Sequence, residues 1–248
     1  NTPNVILQLC NEHNIQAVHA NIDLGVNELK RDAEVQSVLE SKQINFELYH
    51  DRTLFPLTTI RNQSNLPYQV FGAFKKNCYE KLSIALPQCY PIPETQKAIV
   101  PINLSNAVIP KIQQYYPDFV SVNEIWQVGE AYALTVLDDF LANHLQHYKM
   151  ERDFPDLQST SQLSTYLNIG VLSIRQCIQA LFREQHGYFE ISHESQQTWL
   201  DELLWREFYQ HILYDFPRVS KHLPFKKTTQ NIQWRDAPED LKAWKYGQ

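Results

Sequence analysis

The sequence predicts an α/β unit with a parallel sheet, followed by a region built of helices alone. Three observations lead there. In the first fifty residues, two short apolar segments alternate with two helical patterns. From about residue 126 onward, apolar residues recur at helical spacing. Between them, from about 51 to 125, prolines interrupt the chain and periodicity is weak.

Residues 3–13, PNVILQLCNEH, read as a helix with proline in its first turn. QAVHANI, 16–22, reads as a short strand, VNELKRDAEVQSVLESK, 26–42, as a charged amphipathic helix, and NFELYH, 45–50, as a second strand. A parallel sheet needs several strands and cover on both faces. The opening therefore reads as the second half of a doubly wound domain, with the chain expected to be truncated at both ends. FPLTTI, SNLPYQVFGAFKK, LPQCYPIPE and IVPINL suggest a connector with short helices running over the surface. EAYALTVLDDFLANHLQHYKM, QLSTYLNIG, IRQCIQALFREQ and QQTWLDELLWREFYQHILYDF are helical patterns, and DLKAWKYGQ ends with Gly247 as a helix stop. The predicted partition is 1–50, 51–125 and 126–248.

The chain has 248 residues, 43% of them hydrophobic and 20% charged, which is ordinary globular composition. Its net charge of −6 excludes a wholly basic nucleic-acid module but allows a local basic face. Only six glycines are present, and neither phosphate-loop pattern occurs. The four cysteines form no CxxC pair, and the histidines form no HExxH, so no metal site is expected. No apolar run approaches membrane-spanning length and no signal peptide opens the chain, which points to a cytoplasmic setting.

Four stretches carry possible chemistry. In the helix from Trp199, the residues Trp199, Glu202, Arg206 and Tyr209 fall on one side, with Trp205 beside them. Glu202 and Arg206 have the i, i+4 order of a surface ion pair. The surrounding rings equally suit a planar, polar, nitrogen-containing ligand. Thr160, Ser161 and Ser164 stand at a helix start, as caps for free N–H groups or as partners of a phosphate, for which Arg152 and Arg175 are candidate countercharges. PRVSKHLPFKK, 217–227, has four basic residues and no acidic one, a solvated run or a phosphate-facing rim. Trp234, in NIQWRDAPEDL, is the fourth.

Together RDFP, TSQLSTYLNIGVLSIRQC, WLDELLWREFYQHIL and KHLPF, in that order, resemble the class I cyclobutane pyrimidine dimer type of the photolyase/cryptochrome family. The resemblance extends through VNELKRDAEV and NIQW and covers essentially the whole chain. It implies part of an antenna domain at 1–50, an interdomain connector at 51–125 and the first part of an all-helical FAD-binding domain at 126–248. It further implies light-driven repair of DNA containing pyrimidine dimers, by a monomer, through electron transfer from reduced FAD, with the damaged base flipped out of the duplex.

By the same resemblance, Tyr148, Thr160, Ser161, Gln162, Leu163, Ser164, Trp199 and Arg206 hold FAD. Arg152, Glu202, Trp205, Arg206 and Tyr209 meet DNA or the lesion, with Arg152 on a phosphate, Glu202 on the dimer bases and Trp205 stacked on the dimer. Trp234 is the surface end of an electron-transfer chain. Asn27, Glu28 and Lys221 contact a 5,10-methenyltetrahydrofolate antenna, although Asn27 at a helix start also reads as an N-cap. Within the family a cryptochrome-type photoreceptor without repair is the alternative, and Glu202 and Trp205 speak against it. Outside the family the alternative is a non-catalytic helical interaction domain whose aromatic face simply packs. The family continues well beyond a chain of this extent, so residues 1–248 alone are expected to bind FAD poorly and to repair nothing.

Overall fold

The computed structural model describes residues 1–91, 93–94, 110–120 and 126–248. The stretch IVPINL of the expected connector lies outside the described residues.

α1 (Thr2–His13) starts where the Asn1 side chain accepts from the Asn4 N–H at 3.2 Å, and stops at Asn14 in the left-handed conformation. β1 (Ala17–Asn21), α2 (Val26–Glu40) and β2 (Asn45–Tyr49) follow, and the strands pair in parallel from Ala17↔Asn45 to Asn21↔Tyr49. α2 is the crossover that parallel pairing requires. Cys10 of α1, Val35 and Leu39 of α2, and Ile44 form a small core of their own. α2 begins at Val26 with Gly25 as its N-cap. Asn27 is therefore inside the first turn, and its expected role as the cap is not realised.

The segment after β2 departs from the surface path expected of it. α3 (Phe71–Ile84) buries Phe74, Cys78 and Leu82, and Leu54 and Ile60 are buried ahead of it. All five belong to the larger core, together with residues of the helical region. The reason is the spacing of Phe71, Phe74, Cys78 and Leu82, an amphipathic stripe that must be covered.

The predicted long helix at 130–150 is a relay of shorter forms. α4 (Glu130–Asp139) passes through a π turn at Phe140–His144 and a 3₁₀ turn at Leu145–His147 into α5 (Tyr148–Glu151). Leu137, Phe140, Leu145 and Tyr148 are all buried. The five-residue step from Phe140 to Leu145 exceeds the α-helical repeat, and the widened turn keeps both on the core side.

α6 (Ser164–Ile169) and α7 (Ile174–Leu181) come next, the latter opened by a reciprocal Ser173–Gln176 capping box. α8 (Glu194–Asp215) is the longest element, about 33 Å at the usual rise, and packs against α3, α5 and α7. A 3₁₀ turn at Pro217–Lys221 lies against α2, and α9 (Pro238–Lys245) closes the described chain with Gly247 at φ 68° just beyond it. Among the described residues no helix is long and apolar enough to cross a membrane.

Candidate functional site

α8 separates two kinds of side chain. On one side, Asp201, Glu207 and Asp215 tie the helix to the 50–84 segment. The Asp201 carboxylate accepts from Lys75 Nζ at 3.0 Å and from the Tyr79 hydroxyl at 2.8 Å. Glu207, with no exposed surface, accepts the backbone N–H groups of Leu54 and Phe55 at 2.8 and 3.0 Å and faces His211 Nε2 at 3.1 Å. A buried carboxylate persists only when its oxygens are satisfied in this way. Residue patterning did not single out Glu207, because its partners lie about 150 positions away in sequence.

On the other side α8 forms the wall of a cavity of about 640 Å³. Trp199, Glu202 and Arg206 line it, opposite Ser161 and Ser164 and beside Tyr148, so six of the predicted residues come together. Thr165, Asn168, Leu203 and Gln210 line it as well. Asn168, Leu203 and Gln210 were legible by helical spacing, one turn after Ser164, Trp199 and Arg206 respectively, whereas Thr165 follows a Ser161 that lies ahead of the helix.

Each lining group is held differently. Trp199 is buried with its ring 5.1 Å from that of Phe140, and Phe140 meets Tyr148 edge-on at 5.6 Å. Burial pushes the Tyr148 phenol above its ordinary value, with the Arg152 charge opposing. Arg206 donates from its two terminal nitrogens to the carbonyls of Arg52 at 2.7 Å and Leu167 at 3.1 Å. Burial pulls its guanidinium below the ordinary value, and Glu207 opposes that. Glu202 pairs with Arg152, Nη1 to Oε1 at 2.6 Å, a bond that raises the arginine pKa. The i, i+4 pair expected between Glu202 and Arg206 is replaced by these contacts, because main-chain carbonyls claim the Arg206 fork.

Other predicted residues lie off the cavity. Thr160 and Gln162 are exposed, Gln162 at φ 51°, and Leu163 is buried in the main core. The N-cap of α6 is Leu163, so neither Thr160 nor Ser161 caps it as one reading expected, and the helix has no side-chain cap among the described residues. Trp205 stacks on Phe71 at 3.6 Å and 13°, and Tyr209 stacks on Trp205 at 5.6 Å and 24°. Phe71 thus takes one face of Trp205, which is half-buried, while Tyr209 is exposed. Trp234 is 84% exposed.

Asn27 and Glu28 lie in the first turn of α2, which packs against the turn that ends at Lys221. The Val26 N–H donates to Ser220 Oγ at 3.1 Å, which joins the start of α2 to the turn that ends at Lys221. The Glu28 carboxylate folds back over Gly25, into the space a side chain there would need.

The cavity's donor set suits a long molecule with an aromatic ring system and phosphates. Buried rings of Tyr148 and Trp199 offer apolar walls, and the hydroxyls of Ser161, Ser164 and Thr165 with the Asn168 amide offer hydrogen bonds. FAD is such a molecule, and these residues fit it.

Comparison with known proteins agrees. The DNA photolyase family model matches residues 1–94, and the model of the FAD-binding domain of DNA photolyase matches residues 199–248, starting at the first cavity residue of α8. The chain is 31% identical over 252 residues to the deoxyribodipyrimidine photo-lyase of Buchnera aphidicola subsp. Acyrthosiphon pisum, covering 100% of this chain and 50% of the relative. It is 32% identical over 243 residues to that of Escherichia coli K12, covering 98% of this chain and 50% of the relative. In fold it matches a bacterial class III photolyase from Agrobacterium tumefaciens, with TM-score 0.74 at 24% identity over 100% of this chain and 50% of that one. It likewise matches a Synechocystis cryptochrome, with TM-score 0.75 at 22% identity over 99% and 51%. The chain spans about half the length of the curated relatives it matches. From the two matched domains, the relatives and the shared fold, the chain belongs to the DNA photolyase family.

Proposed function

We propose that the full-length protein splits cyclobutane pyrimidine dimers in DNA, as a class I enzyme of its family, using light and reduced FAD. The observation that carries this reading is the cavity in which Tyr148, Ser161, Ser164 and Trp199 face Glu202 and Arg206. Reduced FAD, when bound, supplies the electron that opens the cyclobutane ring under blue light.

The chain's own residues bind and orient. Tyr148 and Trp199 wall the ring system and exclude water. Ser161 and Ser164, with their neighbours Thr160, Gln162 and Leu163, take the phosphate side. Arg206, fixed by two carbonyls, keeps a positive charge at a set place in the cavity. Glu202 accepts hydrogen bonds from the edges of a flipped base. Trp205 and Tyr209 offer the stacking surface, of the kind worth about 1–3 kcal/mol per base, and Arg152 takes a phosphate. Trp234, at the surface, suits the outer end of an electron path. The junction of Asn27, Glu28 and Lys221 supports a 5,10-methenyltetrahydrofolate antenna. The partition into 1–50, 51–125 and 126–248, a monomeric state and a cytoplasmic setting belong to the same reading. The separate core of the first fifty residues supports the first boundary.

The test is illumination of the full-length, flavin-loaded protein with ultraviolet-treated oligothymidylate under reducing conditions. Recovery of thymine absorbance in the light, and none in the dark, is the expected result. A bound flavin with no recovery supports the photoreceptor reading instead.

A further inference from the structure

We propose that Glu202 restrains Arg152 from undamaged DNA and releases it only when the edges of a flipped lesion satisfy the carboxylate. The inference rests on the DNA-repair reading above and adds a source of discrimination to it.

Two arginines stand at this site, and the structure treats them differently. Arg206 is anchored by main-chain carbonyls on two separate segments, Arg52 and Leu167. The partners of the Arg152 guanidinium, among the described residues, are side chains only. They are Glu202 at 2.6 Å, Asp153 at 3.6 Å, and the Tyr148 ring beneath its guanidinium at 5.5 Å. Side-chain partners can be exchanged without breaking secondary structure. Arg152 and Glu202 are 30% and 39% exposed, so water and salt already weaken their pair. A phosphate offers Arg152 a replacement acceptor of the same geometry.

The exchange is unequal for damaged and intact strands. When an intact strand takes Arg152, Glu202 is left as an unpaired carboxylate facing a polyanion, which is repulsive. When a dimer is flipped into the site, the N–H groups of its base edges donate to Glu202, and the carboxylate is satisfied as the arginine leaves it. The ion pair thus penalises one complex and not the other.

The experiment measures dissociation constants of the full-length, flavin-loaded protein for irradiated and unirradiated oligothymidylate across a salt series. Glu202→Ala is expected to tighten binding of unirradiated DNA by up to about fivefold, the scale of an exposed pair. It should also steepen the salt dependence by about 0.7, the value of one added phosphate contact on a single strand. The preference for irradiated DNA should shrink correspondingly. Asp153→Ala removes a neighbouring carboxylate without freeing Nη1, and should leave the slope unchanged. Adding Arg152→Ala to Glu202→Ala should abolish the gain. The inference is overturned if Glu202→Ala and Asp153→Ala have the same effect, or if the gain survives loss of Arg152. A wild-type protein with no preference for irradiated DNA removes the repair reading itself, and the inference with it.

Discussion

Arg61 and Asp215 face each other as a two-pronged pair, at 2.6 and 2.7 Å, with side chains 13% and 12% exposed. Asp215 is the last residue of α8, where the helix dipole disfavours a carboxylate. Arg61 neutralises it and fastens the segment before α3 to that helix end. Arg61→Ala leaves an uncompensated, mostly buried carboxylate. We expect a loss of about 3 kcal/mol in denaturant unfolding. A loss below 0.5 kcal/mol, the size of an ordinary surface change, would contradict this role.

The Glu207 clamp makes a second prediction. Glu207→Ala strands the N–H groups of Leu54 and Phe55, at about 1–3 kcal/mol each. The same change loosens the chain next to Arg52, whose carbonyl holds Arg206. Hydrogen exchange at Leu54 and Phe55 should therefore accelerate, and flavin retention should fall although Glu207 does not line the cavity. Unchanged exchange at these two amides would refute the clamp.

How far these features were readable from sequence depends on where the partners lie. The strands and the first two helices followed from local alternation, and each was found within two residues of its predicted ends. Tyr148, Ser161, Ser164, Trp199, Glu202 and Arg206 were named in advance because the family motifs mark them, and helical spacing gathers the last three on one wall. The core placement of α3 was missed because the prolines around it mask a regular apolar stripe. Glu207 was missed because nothing local distinguishes it from Glu202. One carboxylate meets main-chain amides from a distant segment and is buried, whereas the other meets Arg152 at the cavity. Glycine caps α2 in place of Asn27 because the helix starts at Val26, one residue ahead of its best local cap.

The buried acids predict alkaline sensitivity. Burial pushes the Cys177 thiol up to about 12, and raises Cys78, Tyr79 and Tyr148 above their ordinary values. These groups keep their protons in the folded state at pH values where the unfolded chain releases them, from about 9 for thiols and 10 for phenols. The stability they contribute is complete below that range and is lost as pH rises through it. Melting temperature should be level from pH 7 to about 8.5 and fall steadily above. Cys78→Ala and Cys177→Ala together should flatten the first part of the fall.

The same burial sorts the cysteines by reactivity. All four lie among the described residues, with Cys10, Cys78 and Cys177 buried and Cys89 exposed. A maleimide reagent at pH 7.5 should modify Cys89 first in the folded protein and reach the other three only on unfolding. Early modification of Cys177, behind the cavity wall, would contradict the packing of α7 on α8.

The repair reading requires flavin in the cavity between α6 and α8. The most direct measurement is the flavin content of the full-length protein purified with Ser164→Trp, which fills that cavity from its exposed rim. Wild-type protein should carry flavin near one per chain. The variant should lose most of it while keeping its far-ultraviolet circular dichroism. A variant that folds and retains full flavin would place the cofactor elsewhere and contradict the claim.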